Sequence, residues 1–145
     1  MTHVTGTDTE LAERHLPDPG WPVAKPFWDG CRAGELRIPR CERCERWVWY
    51  PAPACPGCGG ERHAWTATSG RACLFTWVTV HRAFLPGYRV PYVTALVELV
   101  EDPRVRLATY LRDVPASGLR AGMRVEVVFE SVTEQLTLPA FRCVG

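Results

Sequence analysis

Two cysteine pairs carry the clearest chemistry in this sequence: Cys41-Glu-Arg-Cys44 and Cys55-Pro-Gly-Cys58, with ten residues between them. A C-x-x-C turn can present two thiolates on one side of the chain. Two such turns facing each other make a tetrahedral S₄ site, the geometry that suits zinc. The repeated spacing, with Gly59 and Gly60 after the second pair, makes Cys41, Cys44, Cys55 and Cys58 the candidate metal ligands. A closed S₄ site has no position for substrate, so the expected zinc is structural. Iron is a competing metal, but Glu45 follows Cys44 where iron-binding knuckles usually carry glycine. A redox C-x-x-C is the other competitor; two pairs at this spacing without a flanking βαβ pattern count against it. Arg40, Arg43 and Arg46 lie around the four thiolates and would balance their excess negative charge. Contact with a phosphate is the alternative use of these three side chains.

A second candidate is the segment His81-Arg-Ala-Phe-Leu-Pro-Gly-Tyr-Arg-Val-Pro-Tyr92. It offers His81, Arg82, Phe84, Tyr88, Arg89 and Tyr92 within one loop. Phe84, Leu85 and Tyr88 are costly to leave bare in water, so a ligand or partner is expected to cover them. The alternative is that they fold back on the cysteine-bearing module. No catalytic residue is assigned. His81 has no Ser or Cys beside it, and a lone His at a strand end is usually structural. Cys73 and Cys143 fall within strands and are expected to be buried, inert thiols; Cys31 falls on a helix. There is no G-x-S-x-G elbow, P-loop or paired-acid constellation. Asp113, Glu126 and Glu130 are expected at strand ends or on solvent faces as solvated charges.

The elements that must hold these residues follow from pattern. A length of 145 residues, 46% of them hydrophobic, suits one compact unit or two very small ones. A net charge of +1, with sixteen Arg and one Lys, excludes the broad basic field that drives phosphate-backbone binding. No run is long and apolar enough for a transmembrane helix, and the polar N-terminus lacks a signal-peptide core. The cysteine usage fits a reducing, cytoplasmic setting.

Residues 1–34 are expected to form an arm, with a helical turn near Glu10–His15 and a short helix over 25–34. Pro26 suits the start of that helix and Gly34 its end. Residues 35–68 would be the metal module, with short strands at Glu35–Pro39, Trp47–Tyr50 and Trp65–Thr68. Trp47, Trp49 and Trp65 are expected to pack around it. From residue 69 to 145 the spacing predicts five strands: Ala72–Arg82, Pro91–Leu99, Arg104–Arg112, Arg124–Ser131 and Thr137–Arg142. The clearest alternation sets Val105, Leu107, Thr109 and Leu111 against Arg104, Arg106, Ala108, Tyr110 and Arg112. A helical turn is expected at Pro115–Leu119. Five strands with a turn between the third and fourth match an OB-type barrel, which also removes exposed sheet edges.

The chain resembles a known family. Pro26-Phe-Trp28, Gly34-Glu-Leu36, Pro39-Arg-Cys41, Cys44, Pro51 and Cys55-Pro-Gly-Cys58-Gly59 look like its metal half. Gly70-Arg-Ala72, Pro91-Tyr92, Gly122-Met-Arg-Val-Glu-Val-Val-Phe-Glu130 and Leu138-Pro-Ala-Phe141 look like its barrel half. The family is the acyl-CoA-associated OB-fold proteins with an N-terminal rubredoxin-like zinc ribbon, and the likeness covers about residues 23–145. It implies a mainly β fold and a structural zinc. It also implies an accessory subunit that is not catalytic alone and forms a hetero-oligomer with a thiolase-like enzyme of the lipid-transfer-protein type. Acyl-CoA would be the ligand, held by the His81–Tyr92 loop, for retro-aldol cleavage in steroid or other side-chain catabolism or for acyl transfer. Because the family region fills almost all of the chain, no hydratase segment is expected. The alternative from another class is a zinc-ribbon/OB module that binds single-stranded nucleic acid, for which Trp77, Tyr88, Tyr92 and Tyr110 would stack bases. An iron–sulfur electron carrier is a third reading.

Overall fold

A computed structural model of the chain describes residues 15–144. The helical turn expected near Glu10–His15 lies almost wholly outside these residues. Helix α1 spans Lys25–Arg32, with Pro26 in its first turn and a Lys25–Asp29 ion pair of 2.6 Å across one turn. It stops as Gly34 takes φ 77°, while Gly34 N–H donates to Cys31 O and Glu35 N–H to Gly30 O. That is a Schellman stop, and glycine supplies the left-handed residue it requires. Gly30 is needed for a different reason: a Cβ there would lie 2.8 Å from Glu35 O.

The metal module is a two-stranded antiparallel sheet, β1 (Arg37–Cys41) and β2 (His63–Ala67), with Cys41 opposite His63. The strand expected at Trp47–Tyr50 does not form. Only one bridge, Arg40 to Trp47, is made there, because the chain leaves the first cysteine turn and runs directly into Pro51. Proline offers no N–H to a ladder.

Five strands then close a barrel in the order β3-β4-β5-β7-β6 and back to β3. They are β3 (Arg71–Val80), β4 (Tyr92–Leu99), β5 (Arg106–Arg112), β6 (Arg124–Ser131) and β7 (Thr137–Cys143). The β5–β7 pair is parallel and the others antiparallel. The five expected strands are therefore present, shifted by a few residues at their ends. Pro115–Leu119 is a hydrogen-bonded turn, Gly118 N–H to Pro115 O at 2.9 Å, and not a helical turn. A register shift between Leu74 and Thr76 puts a bulge in β3, and Phe75 there carries the Arg106 guanidinium 3.9 Å above its ring.

Alternation places Leu74, Val97, Leu107, Leu111, Phe129 and Phe141 in the barrel core. Phe27 and Cys31 of α1, with Leu36 and Ile38 of the metal module, belong to the same apolar cluster. Helix and sheet are thus seated against the barrel. No helix among the described residues is long and apolar enough to cross a membrane.

Two sequence expectations about polar groups are corrected. Glu130 is not solvated: it is 3% exposed, and its carboxylate accepts Arg112 Nε at 2.6 Å and Nη2 at 3.0 Å. Glu126 is paired with Arg142 across the β6–β7 ladder. Cys73 and Cys143 are half-buried rather than buried; outside the four-cysteine cage, the fully buried thiol among the described residues is Cys31, pushed up to about 12 by burial.

Candidate metal centre and ligand surface

The two cysteine turns are built alike. Cys41 N–H donates to Arg46 O and Glu45 N–H to Cys41 O; Cys55 N–H donates to Gly60 O and Gly59 N–H to Cys55 O. Each turn closes through one left-handed residue, Glu45 (φ 65°) in the first and Gly59 (φ 75°) in the second. The four sulfur atoms all lie within 4.8 Å of one another, with Cys41–Cys58 and Cys44–Cys55 at 3.6 Å. A tetrahedron with Zn–S bonds of about 2.3 Å has edges of about 3.8 Å, so this cage fits the ion. When bound, zinc cross-links the two turns.

The charge state of the cage points the same way. Hydrogen bonding from the Cys58 backbone N–H, and then from Gly57, pulls the Cys55 thiol down to about 6. The Cys44 N–H does the same for Cys41. The Arg46 N–H also pulls on Cys44, but burial and the three neighbouring sulfurs together push that thiol up to about 11. Four sulfurs this close cannot all ionise without a cation between them. Gly60 N–H reaches Cys58 Sγ at 3.4 Å, and a side chain here would be tight: a Cβ on Gly60 would lie 3.3 Å from both Cys41 Sγ and Cys58 Sγ, so the cage would have to give by a few tenths of an ångström.

Of the flanking arginines, Arg40 is committed locally. Arg40 Nε donates to Glu45 O at 2.8 Å and its guanidinium lies 5.0 Å from the Trp47 ring centre. The turn between β4 and β5 brings further charge near the cage. There Arg104 grips Asp102 and holds its carboxyl below the usual carboxylate range, with Arg46 adding to the effect.

The His81–Tyr92 loop joins β3 to β4, and its residues part company. Tyr88 and Tyr92 turn onto the barrel and form a three-ring cluster with Tyr110 of β5, at centre separations of 5.3, 6.1 and 6.0 Å. The Tyr110 hydroxyl donates to the Tyr88 hydroxyl at 3.0 Å. His81, Arg82, Phe84 and Arg89 are exposed, Phe84 at 78%. Arg82 lies 5.7 Å from the Phe84 ring centre.

A cleft of about 500 Å³ opens where the metal module, the N-terminal segment and the barrel meet. Its walls are Trp21, Phe27 and Trp28 on one side, Trp49-Tyr50-Pro51 on another, and Leu107–Tyr110 with Leu138-Pro139 on the floor. Trp21 and Tyr50 stand 56% and 63% exposed. The Trp49 Nε1–H is buried without an acceptor. The tryptophans of the metal module do pack against the core, as expected, but Trp49 also lines this cleft. Sequence reasoning did not find it. The available signal was two clusters of Trp and Pro, at 19–28 and 47–53, flanking the first cysteine turn. A shallower groove of about 440 Å³ on β3, β4 and β5 shares Ala108, Thr109 and Tyr110 with the cleft.

A four-cysteine ribbon seated on a five-stranded OB barrel defines the class of protein. Residues 28–64 match the family described as the ChsH2 rubredoxin-like zinc ribbon domain, and residues 65–130 match the ChsH2 C-terminal OB-fold domain. The chain belongs to the family that joins these two domains. It is similar to a chain of the solved Ltp2-ChsH2(DUF35) aldolase, with 28% identity and a TM-score of 0.78 over 90% of this chain and 98% of that one. A DUF35-family protein of unknown function from Sulfolobus solfataricus has the same fold at 15% identity and a TM-score of 0.61, covering 94% of this chain and 95% of that one. Among curated proteins, a probable enoyl-CoA hydratase alpha subunit from Thermomonospora curvata is 32% identical over 80% of this chain and 36% of its own length. The 3-oxo-4,17-pregnadiene-20-carboxyl-CoA hydratase alpha subunit of Mycobacterium tuberculosis is 34% identical over 71% of this chain and 32% of its own. The chain thus spans about a third of the length of these two relatives.

Proposed function

We propose that this chain is a cytoplasmic, non-catalytic accessory subunit that associates with a thiolase-superfamily enzyme and helps hold an acyl-CoA thioester for carbon–carbon bond cleavage. The observation that carries this reading is the likeness to the aldolase chain, nearly all of which this chain covers. The reaction assigned to the complex is a retro-aldol cleavage, with a steroid side chain as the leading substrate class; one relative is described by a pregnadiene carboxyl-CoA thioester. Zinc fixes the ribbon, and the ribbon fixes Trp49 and Tyr50 against the barrel. The aromatic cleft offers an apolar chain a dry wall, and His81, Arg82, Phe84, Tyr88, Arg89 and Tyr92 form the surface for acyl-CoA or partner. The contribution is positional: immobilising the thioester turns a bimolecular encounter into an oriented one. The nucleophile and base belong to the partner.

The test is co-expression with a lipid-transfer-protein-type thiolase homologue, followed by size-exclusion chromatography and an assay for carbonyl product from a β-hydroxyacyl-CoA. A co-eluting complex more active than the homologue alone is expected. A chain that stays apart and leaves the activity unchanged overturns the reading. Similarity to two hydratase alpha subunits favours a second reading, in which the partner dehydrates or hydrates an enoyl-CoA. The same complex assayed for enoyl-CoA hydration separates the two.

A further inference from the structure

The β3–β4 loop ends in the most exposed large apolar side chain of the described residues. Phe84 is 78% exposed, Leu85 follows at 47%, and Val78 on the strand leading in is 62% exposed. Phe84 and Leu85 form an exposed apolar tip, whereas Val78 lines the groove on β3, β4 and β5. Neither the cleft nor the larger groove is lined by any residue from 79 to 91. Small-molecule sites are concave and bury most of the ligand's surface. A projecting Phe–Leu pair instead has the form of an anchor that fills a pocket in another protein. The base of the tip is fixed: Tyr88 and Tyr92 pack with Tyr110, and the Tyr110 hydroxyl bonds that of Tyr88. The tip is therefore presented on a braced stem, which limits the ordering cost of docking.

Charge narrows the partner. No Asp or Glu occurs in the loop from residue 81 to 91, while Arg82 and Arg89 do. Arg82 lies against the Phe84 ring and is exposed. An apolar tip with a basic collar is complementary to an apolar pocket rimmed by carboxylates.

We infer that Phe84 and Leu85 are the protein-docking anchor of this chain, seated in an acid-rimmed apolar pocket of the thiolase-type partner, and that acyl-CoA does not bind at this tip. This deepens the proposed function and rests on it. The braced tyrosines below remain available to the ligand surface.

The experiment measures the affinity of the zinc-loaded chain for the co-expressed thiolase homologue by biolayer interferometry. The variants are Phe84→Ser/Leu85→Ser and Arg82→Glu/Arg89→Glu, and each is also titrated with free CoA. Exposed tip residues leave folding intact, which circular dichroism and zinc content verify. The apolar double variant is expected to weaken the complex by at least about tenfold, chiefly through faster dissociation. The charge double variant is expected to slow association, with wild-type association falling as salt rises. The apolar double variant is expected to bind CoA as the wild type does. If the wild type binds the homologue and the apolar variant binds as well, the anchor is wrong while the accessory-subunit reading stands. If CoA binding is lost in the apolar variant and partner binding is kept, the tip is a ligand site and the inference is overturned. If the wild type fails to bind the homologue, both readings fall together.

Discussion

The barrel closes on Leu74, Val97, Leu107, Phe129 and Phe141, whereas the far end of the ribbon closes on Cys41, Val48 and Cys55, with only Ala52 and Cys58 packed against them. The ribbon is itself divided. Ile38 of β1 joins the barrel's core cluster together with Phe27 and Cys31 of α1, so one end of the module is held by apolar contact. The other end, from Cys41 to Gly60, has two turns, four sulfurs and a small cluster of its own around Val48, with Trp47 and Trp49 reaching the main core between the turns. A cluster that small cannot offset the conformational entropy of about twenty ordered residues at roughly 1–2 kcal/mol each. The metal must supply the difference. The barrel needs no such ion, because its strands already pair around a closed circuit.

Metal removal is the largest break in this comparison. Stripping zinc with a chelator is expected to cost the cysteine end on the order of 10 kcal/mol. The amides of Cys41, Glu45, Cys55 and Gly59 would lose protection from hydrogen exchange, while those of β4 and β6 keep theirs. Acid should do the same. In the metal-free cage the Cys55 thiol is held down to about 6, below the ordinary 9.0, so its contribution is complete above the ordinary value and is lost as pH falls through about 6, and bound zinc, competing with protons for the thiolates, moves that loss to lower pH. Uniform loss of protection across the ribbon and the barrel would mean that the two regions form one cooperative unit.

Within the barrel the sharpest single break is the Arg112–Glu130 pair. Its carboxylate side chain is 4% exposed and its guanidinium 28%. Arg112→Ala leaves a buried carboxylate without its cation and is expected to cost about 3–5 kcal/mol, read from the shift of the urea midpoint. Arg112→Met with Glu130→Leu is expected to recover most of that loss. Metal content should stay unchanged in both variants. Zinc loss in the Arg112 variant would contradict the separation of the two regions.

That pair also marks where the sequence stopped being legible. Alternation found the inward face of β5 and the span of β6, because each strand's own residues report which face is buried. Glu130 sits on the opposite face of β6 from Phe129, and nothing local says that Arg112, on another strand, will cover it. The aromatic cleft is hidden for the same reason, being assembled from segments near residues 21, 50, 108 and 138. The metal cage was legible because two short spacings specify it almost completely. The strand expected at Trp47–Tyr50 failed through turn chemistry: β-forming residues were present, but the knuckle on one side and Pro51 on the other left no length for pairing.

The smallest effect tests the likeness of the two cysteine turns. Both close through the same pair of backbone hydrogen bonds, yet the left-handed position is Glu45 in one and Gly59 in the other. A side chain at such a φ costs about 1 kcal/mol or more, because Cβ crowds the following carbonyl. Glu45 is exposed, and Arg40 is bonded to its backbone oxygen, a contact that glycine retains. Glu45→Gly should therefore relieve strain, offset in part by the greater freedom of glycine in the unfolded chain. The expected net is a gain of about 0.5 kcal/mol, seen as a small rise in the zinc-loaded Tm. The reciprocal change isolates the cause. A Cβ at Gly59 would meet nothing within 4 Å, so any loss in Gly59→Ala is backbone strain alone, expected at about 1 kcal/mol. Equal stabilities for Gly59→Ala and the wild type would show that the turns tolerate the left-handed residue without cost, and that the difference between Glu45 and Gly59 carries no energetic meaning.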